Sequence, residues 1–208
     1  MRKPENWKSL ITLKTNEVIR ILTISDLFVL SGFGLIAPIF AIYLTDNIHG
    51  GNIEVAGIAA TIFLLTRSLG QLPAAYIVDK IKGEKDDYWA LIIGSMITSL
   101  VPLLYIIAKT PAHIYIIQLI YGLSQALTFP SWLAIFTRHI DKQKEGFEWG
   151  VYYTVTDLGG AAVAAIGGVV AQSFGFKPLF LAVSILSFIG SIWLIYIRKY
   201  MFTSRQQS

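Results

Sequence analysis

Six apolar runs, each long enough to cross a lipid bilayer, constrain this chain more than any motif in it. They cover residues 18–45, 53–78, 88–108, 113–137, 149–171 and 178–197, and a spanning helix needs about 20 mostly apolar residues. The runs are continuously apolar instead of alternating, and each is about twice the length of a barrel strand, so helices are predicted. A chain of 208 residues that is 54% hydrophobic and only 14% charged is also too apolar for an ordinary soluble domain. The expected fold is an all-α membrane protein with a six-helix transmembrane domain over residues 18–197 and tails at 1–17 and 198–208. The first run far exceeds a signal-peptide core, and no small-residue cleavage pattern follows it, so it is expected to be retained. Cysteine is absent, which excludes disulfide and thiol chemistry.

The net charge of +4 reads as membrane topology once the charges are placed along the chain, not as nucleic-acid affinity. Arg2, Lys3, Lys8, Lys14 and Arg20 precede or open the first run, and Lys80, Lys82 and Lys85 join the second to the third. Arg138, Lys142 and Lys144 join the fourth to the fifth, and Arg198, Lys199 and Arg205 follow the sixth. The alternate connections hold only Lys109 and Lys177. Fourteen against two puts both termini in the cytoplasm by the positive-inside rule. Tyr43, Trp89, Tyr105, Trp132, Trp149, Trp193 and Tyr196 lie near run ends, where interface-seeking aromatics or packing residues belong.

Ionisable residues inside spanning helices cost a few kcal/mol each and are functional candidates by default. Three occur: Asp26 in the first run, Arg67 in the second and Asp157 in the fifth. At ~1.5 Å rise per residue, Asp157 lies ~12 Å and Arg67 ~18 Å from the cytoplasmic boundary. If the second and fifth helices adjoin, the arginine can bridge to Asp157. Asp26 lies shallower, and snorkelling or structural pairing fits it as well as function does. A carboxylate near a cavity and an arginine has the character that proton coupling needs.

The fourth run adds Gln118, Ser124, Gln125 and Thr128. The two glutamines are seven residues apart and share a helix face, which must meet either a neighbouring helix or water. Gly32, Gly34 and Pro38 interrupt the first run, and Pro102 and Pro130 the third and fourth, as kinks or as flexible points of a gate. In the fifth, "DLGGAAVAAIGGVV" sets Gly160, Ala164 and Gly168 at four-residue spacing beside Gly159, Val163 and Gly167. Such a small-residue face is expected to meet another helix closely.

In order along the chain, these features resemble the N-terminal half of a major facilitator superfamily transporter, over nearly all 208 residues. The family's G-x-L-a-D-R-x-G-R-K signature is matched in "AAYIVDKIKGEKD", with Ala75 at the first glycine, Asp79 and Lys80 in register, and Gly83 one place late. Where the family often carries R-x-x-x-G this chain has Gln118 and Gly122, and of the G-x-x-x-G-P-x-x-G-G pattern of the drug-exporting branch it keeps Gly159, Gly167 and Gly168, with Val163 and Ala164 in place of Gly-Pro. The resemblance places Asp79, Lys80 and Gly83 in the family's signature loop, the expected gating loop, while the polar residues singled out above, Asp26, Arg67, Gln118, Gln125 and Asp157, are the expected transport pathway or ion pair. The family normally has twelve helices in two parallel halves. Two copies inserted the same way can therefore rebuild that architecture as a parallel homodimer, with the second helix of each packed on the fifth of the other. Asp79 would then latch onto the start of the partner's fifth helix, whose N-terminal dipole favours an anion.

The expected function is a half-size secondary transporter in the cell (inner) membrane, moving a small polar or amphipathic solute, with proton coupling as one variant. The other readings are one half of a split or truncated transporter, needing a second polypeptide, and a non-transporting assembly protein. Membrane enzymes fit poorly. His49, His113 and His139 all fall at helix ends or loops, there is no Gly-x-Ser-x-Gly, and Asp86 and Asp87 read as a solvated loop without a second acidic cluster. No cofactor or metal is expected, and the partners are the lipid bilayer, the solute and a second bundle.

Overall fold

A computed structural model describes residues 16–80 and 84–201, and every regular element in it is helical. The elements are α1 (Glu17–Ile36), a 3-10 turn (Ala37–Ile39), α2 (Phe40–Asn47), α3 (Ile53–Lys80), α4 (Lys85–Ile107), α5 (Pro111–His139), α6 (Glu145–Phe174), α7 (Phe176–Trp193), a second 3-10 turn (Leu194–Tyr196) and α8 (Ile197–Met201). They supply six stretches long and apolar enough to cross a membrane. Gly83, and the charged residues of both tails beyond 16 and 201, lie outside the described residues.

Local chemistry places the breaks. Pro38 cannot donate a backbone hydrogen bond, and the first span changes from α-helix to a 3-10 turn around it before continuing as α2. Pro102 and Pro130, by contrast, sit inside uninterrupted helices. Gly175, at φ 81°, adopts the backbone conformation that turns α6 directly into α7.

The long helices pack as an arc in the order α3, α5, α4, α7, α1, α6, with α1 also touching α5 across the middle. In hydrocarbon there is no hydrophobic force between helices, so close backbone approach and interhelical hydrogen bonds hold them together. Both are visible. The Ser25 hydroxyl donates to the Gly190 carbonyl at 2.9 Å, joining α1 to α7, and Ser184 donates to the Ser99 carbonyl at 2.7 Å, joining α7 to α4. Thr98 and Ser124 link α4 to α5 at 2.9 Å. A side chain at Gly190 would meet the Ser25 carbonyl oxygen at 2.7 Å, so only glycine permits that approach.

Buried apolar side chains form two clusters, one at each end of the bundle. Leu35, Tyr43, Leu44, Ile114, Phe180 and Val183 belong to one, and Ile19, Leu22, Leu91, Trp132, Phe136 and Ile197 to the other. Tyr43, Tyr105 and Trp132 are therefore packing residues, whereas Trp89, Trp193 and Tyr196 are exposed at the bundle surface.

One expectation fails. Asp86 and Asp87 are not a solvated loop: they form the first turn of α4, and Asp87 is fully buried. Its carboxylate accepts a hydrogen bond from the Arg138 guanidinium at the end of α5. An anion suits a helix start and a cation a helix end, so the pair also satisfies both helix dipoles. Arg138→Ala is expected to strand the buried carboxylate and cost about 1–3 kcal/mol. Lys144→Ala, at the exposed Lys144–Asp141 pair, should cost less than ~1 kcal/mol. Thermal unfolding in mild detergent compares them, and equal midpoints would contradict the assigned role of Arg138.

Candidate functional site

Between the two apolar ends lies a cavity of about 230 Å³, lined from five helices. α1 brings Asp26, Val29 and Leu30; α3 brings Phe63 and Arg67; α4 brings Ser95 and Thr98. α5 contributes Tyr121, Gln125, Thr128, Phe129 and Trp132, and α6 contributes Tyr152. The seven-residue step from Tyr121 to Thr128, with Gln125 between, keeps all three on one face of α5.

Two opposite charges share this space without meeting. The Tyr152 hydroxyl donates to one Asp26 carboxylate oxygen at 2.9 Å. Tyr152 is itself held in an aromatic cluster, with ring centroids 5.0 Å from Trp132 and 5.5 Å from Phe136. The Arg67 guanidinium lies over the Phe129 ring, 4.8 Å from its centroid, a favourable cation–π geometry. The ion pairs among the described residues are Arg20–Glu17, Arg138–Asp87 and Lys144–Asp141, so neither Asp26 nor Arg67 has a counter-ion there.

Tyr121 forms a shared wall. It stacks on Phe33 of α1 at 5.0 Å and on Phe63 of α3 at 4.5 Å. On its other side is a second, more apolar cavity of about 240 Å³, lined by Phe33, Ile36, Phe40, Ala60, Phe63, Tyr105, Gln118 and Tyr121. The two glutamines thus share a helix face but serve different cavities.

Of the residues singled out in the sequence, Asp26, Arg67 and Gln125 come together. Asp157 does not join them: it is exposed on α6, and α3 and α6 do not form a packed pair, so no Arg67–Asp157 bridge exists within the chain. Asp79 and Lys80 are exposed in the last turn of α3, with the Lys80 ammonium 5.7 Å from the Tyr76 ring centroid. The glycines divide. A side chain at Gly167 would meet the Leu35 carbonyl oxygen at 2.6 Å, so this glycine serves packing of α6 on α1 within the chain. Gly160 and Gly168 face open space, and Gly159 is half-buried. Tyr121, Phe129 and Tyr152 were missed in the sequence because a tyrosine or phenylalanine in mid-span is indistinguishable from core until its neighbours are known.

A model of the Major Facilitator Superfamily matches residues 22–207. The chain belongs to that superfamily. The chain is 25% identical over 179 residues to an uncharacterized MFS-type transporter of Methanocaldococcus jannaschii, covering 86% of this chain and 45% of that protein. It is 24% identical over 201 residues to Multidrug resistance protein MdtG of Dickeya zeae, covering 91% and 47%. The crystal structure of the POT family transporter PepTSo superposes with a TM-score of 0.76 at 16% identity, over 91% of this chain and 39% of that one. The chain thus spans about half the length of the curated relatives it matches. Membership, with six apolar helices, makes it an integral multi-pass membrane protein of a family of transporters, which are not enzymes.

The absence of native cysteine allows a direct check that the superfamily member's cavity is wet. Gln125→Cys, in the cavity wall, is expected to react with a charged, water-borne thiol reagent in membrane vesicles. Leu181→Cys, on the exposed apolar face of α7, should react at least about tenfold more slowly, because that face meets hydrocarbon. Equal labelling would show that the cavity is not the aqueous route into the bundle.

Proposed function

We propose that this chain is one half of a secondary transporter, carrying a small polar or amphipathic solute through the cavity by alternating access. The observation that carries the reading is an unmatched outer surface around a charge-lined cavity. α3 and α6 stand at the two ends of the arc, and only 11% of the apolar window of each is buried, against 39–50% in the other spans. On that surface α6 exposes Asp157, twelve residues from its start at Glu145. A carboxylate ~18 Å along the helix from that start lies well inside the span, where it is costly against lipid and calls for a protein partner or water.

A second copy in the same orientation supplies one. Ser68, exposed on α3, lies twelve residues before the end of that helix at Lys80, level with Asp157, and offers it a hydroxyl donor, whereas its neighbour Arg67 lines the cavity. Packing α3 of each copy on α6 of the other brings these groups together twice and closes both arcs. The open faces of Gly160 and Gly168 would take the close approach. The same surface fits a second polypeptide carrying the missing half, and this remains the competing reading. Likeness to a protein named for multidrug resistance favours an amphipathic cargo. Asp26 and Asp157, both within spans, are the groups on which proton coupling would rest, and the cell (inner) membrane is the proposed location.

Ser68→Cys combined with Leu158→Cys tests the arrangement. Oxidation in native membranes is expected to give a disulfide-linked dimer on a non-reducing gel. A product that stays monomeric removes the homodimer, and a cross-link to another polypeptide establishes the split transporter. In proteoliposomes with a trapped pH dye, flux of a small amphipathic solute should change lumenal pH, and Asp157→Asn should abolish the change; a silent dye removes proton coupling.

Asp79 fits a latch between copies. It is exposed at the end of α3, and the start of α6 offers a groove lined by Gly146, Phe147, Gly150 and Thr154. Asp79→Asn is expected to alter the water accessibility of a cysteine at position 125 by several-fold, with the unfolding midpoint unchanged. Unaltered labelling would remove the latch.

A further inference from the structure

We propose that the cavity recognises a zwitterionic solute, with its cationic group on the Asp26 carboxylate and its anionic group on the Arg67 guanidinium. The inference deepens the reading of the cavity as a solute pathway and rests on it.

The geometry assigns each pole. Asp26 is held from one side only: Tyr152 occupies one carboxylate oxygen, and no hydrogen bond or ion pair among the described residues engages the other. Arg67 keeps its guanidinium on the Phe129 ring, and its hydrogen-bond donors have no acceptor among the described residues. A guanidinium has five such donors in a fork that matches a carboxylate, so an anionic group is its natural complement. Each charge in a spanning helix needs a partner or a wet cavity. Yet the two do not neutralise each other, because α1 and α3 hold them on different walls of the same space.

A cavity built for a cation alone would gain nothing from an arginine in its wall, and one built for an anion alone nothing from an aspartate. A solute with both groups satisfies both charges at once. Elsewhere in the lining, Phe63, Tyr121 and Trp132 supply apolar surface, while Gln125 and Thr128 offer hydrogen bonds. The volume of about 230 Å³ equals that of about eight water molecules, which suits a solute of amino-acid size.

Three probes of matched shape test the assignment: L-phenylalanine, with both charges; phenethylamine, with only the cation; and 3-phenylpropionate, with only the anion. Binding to the full chain in nanodiscs is measured by isothermal titration calorimetry at neutral pH. The zwitterion is expected to bind at least about tenfold tighter than either analogue. Asp26→Asn should abolish its advantage over 3-phenylpropionate, and Arg67→Gln its advantage over phenethylamine. If either singly charged probe binds the unmodified protein as tightly as L-phenylalanine, or if none of the three binds, the proposal is overturned. That comparison needs no variant to fold. Flux in proteoliposomes separates this failure from that of the transporter reading. Binding with charge preference but no flux keeps the zwitterion site and removes transport. Flux without charge preference keeps transport and removes the zwitterion site.

Discussion

The cost of an unpaired polar group in hydrocarbon governs this molecule. It forces the backbone into helices, which satisfy their own N–H and C=O groups. It also sorts the side chains. Serine and threonine hydroxyls are spent on neighbouring carbonyls, as at Ser25–Gly190 and Ser184–Ser99, where they join helices. The buried Asp87 is matched by Arg138. The ionisable groups in mid-span that lack an ionic partner lie in two places, Asp26 and Arg67 in the cavity wall and Asp157 on the outer face of α6. That distribution, more than any motif, separates scaffold from working surface.

The bundle is correspondingly divided along its length. Apolar clusters close both ends, and the charged cavity lies between them. The division follows from where each helix places its large side chains. In α5, Ile114 and Ile117 fill one end, Ile135 and Phe136 the other, and Tyr121, Gln125 and Thr128 face the space between. A single helix therefore contributes to both cores and to the site.

Sequence patterns disclosed the architecture more fully than the site. Continuous apolar runs set the six spans, because bilayer thickness translates directly into helix length. Pro38 marked a true break, whereas Pro102 and Pro130 did not, since neighbouring helices can absorb a missing hydrogen bond. Asp26, Arg67 and Gln125 were legible as candidates because charge or amide in mid-span is costly anywhere. Their convergence was not, for it depends on α1, α3 and α5 meeting around one space. Asp87 was misread for a related reason: burial at a helix start depends on an arginine 51 residues away. The glycine pattern of α6 announced close packing but could not divide Gly167, which meets α1, from Gly168, which faces outward.

Tyr121 is the partition between two chambers of nearly equal size. Any swing of its ring that enlarges one chamber must diminish the other. The ring is also stacked on Phe33 of α1 and Phe63 of α3, so it cannot swing without breaking those contacts. Together with Phe63, which also lines both chambers, this ring ties the shape of each chamber to how α1, α3 and α5 are packed.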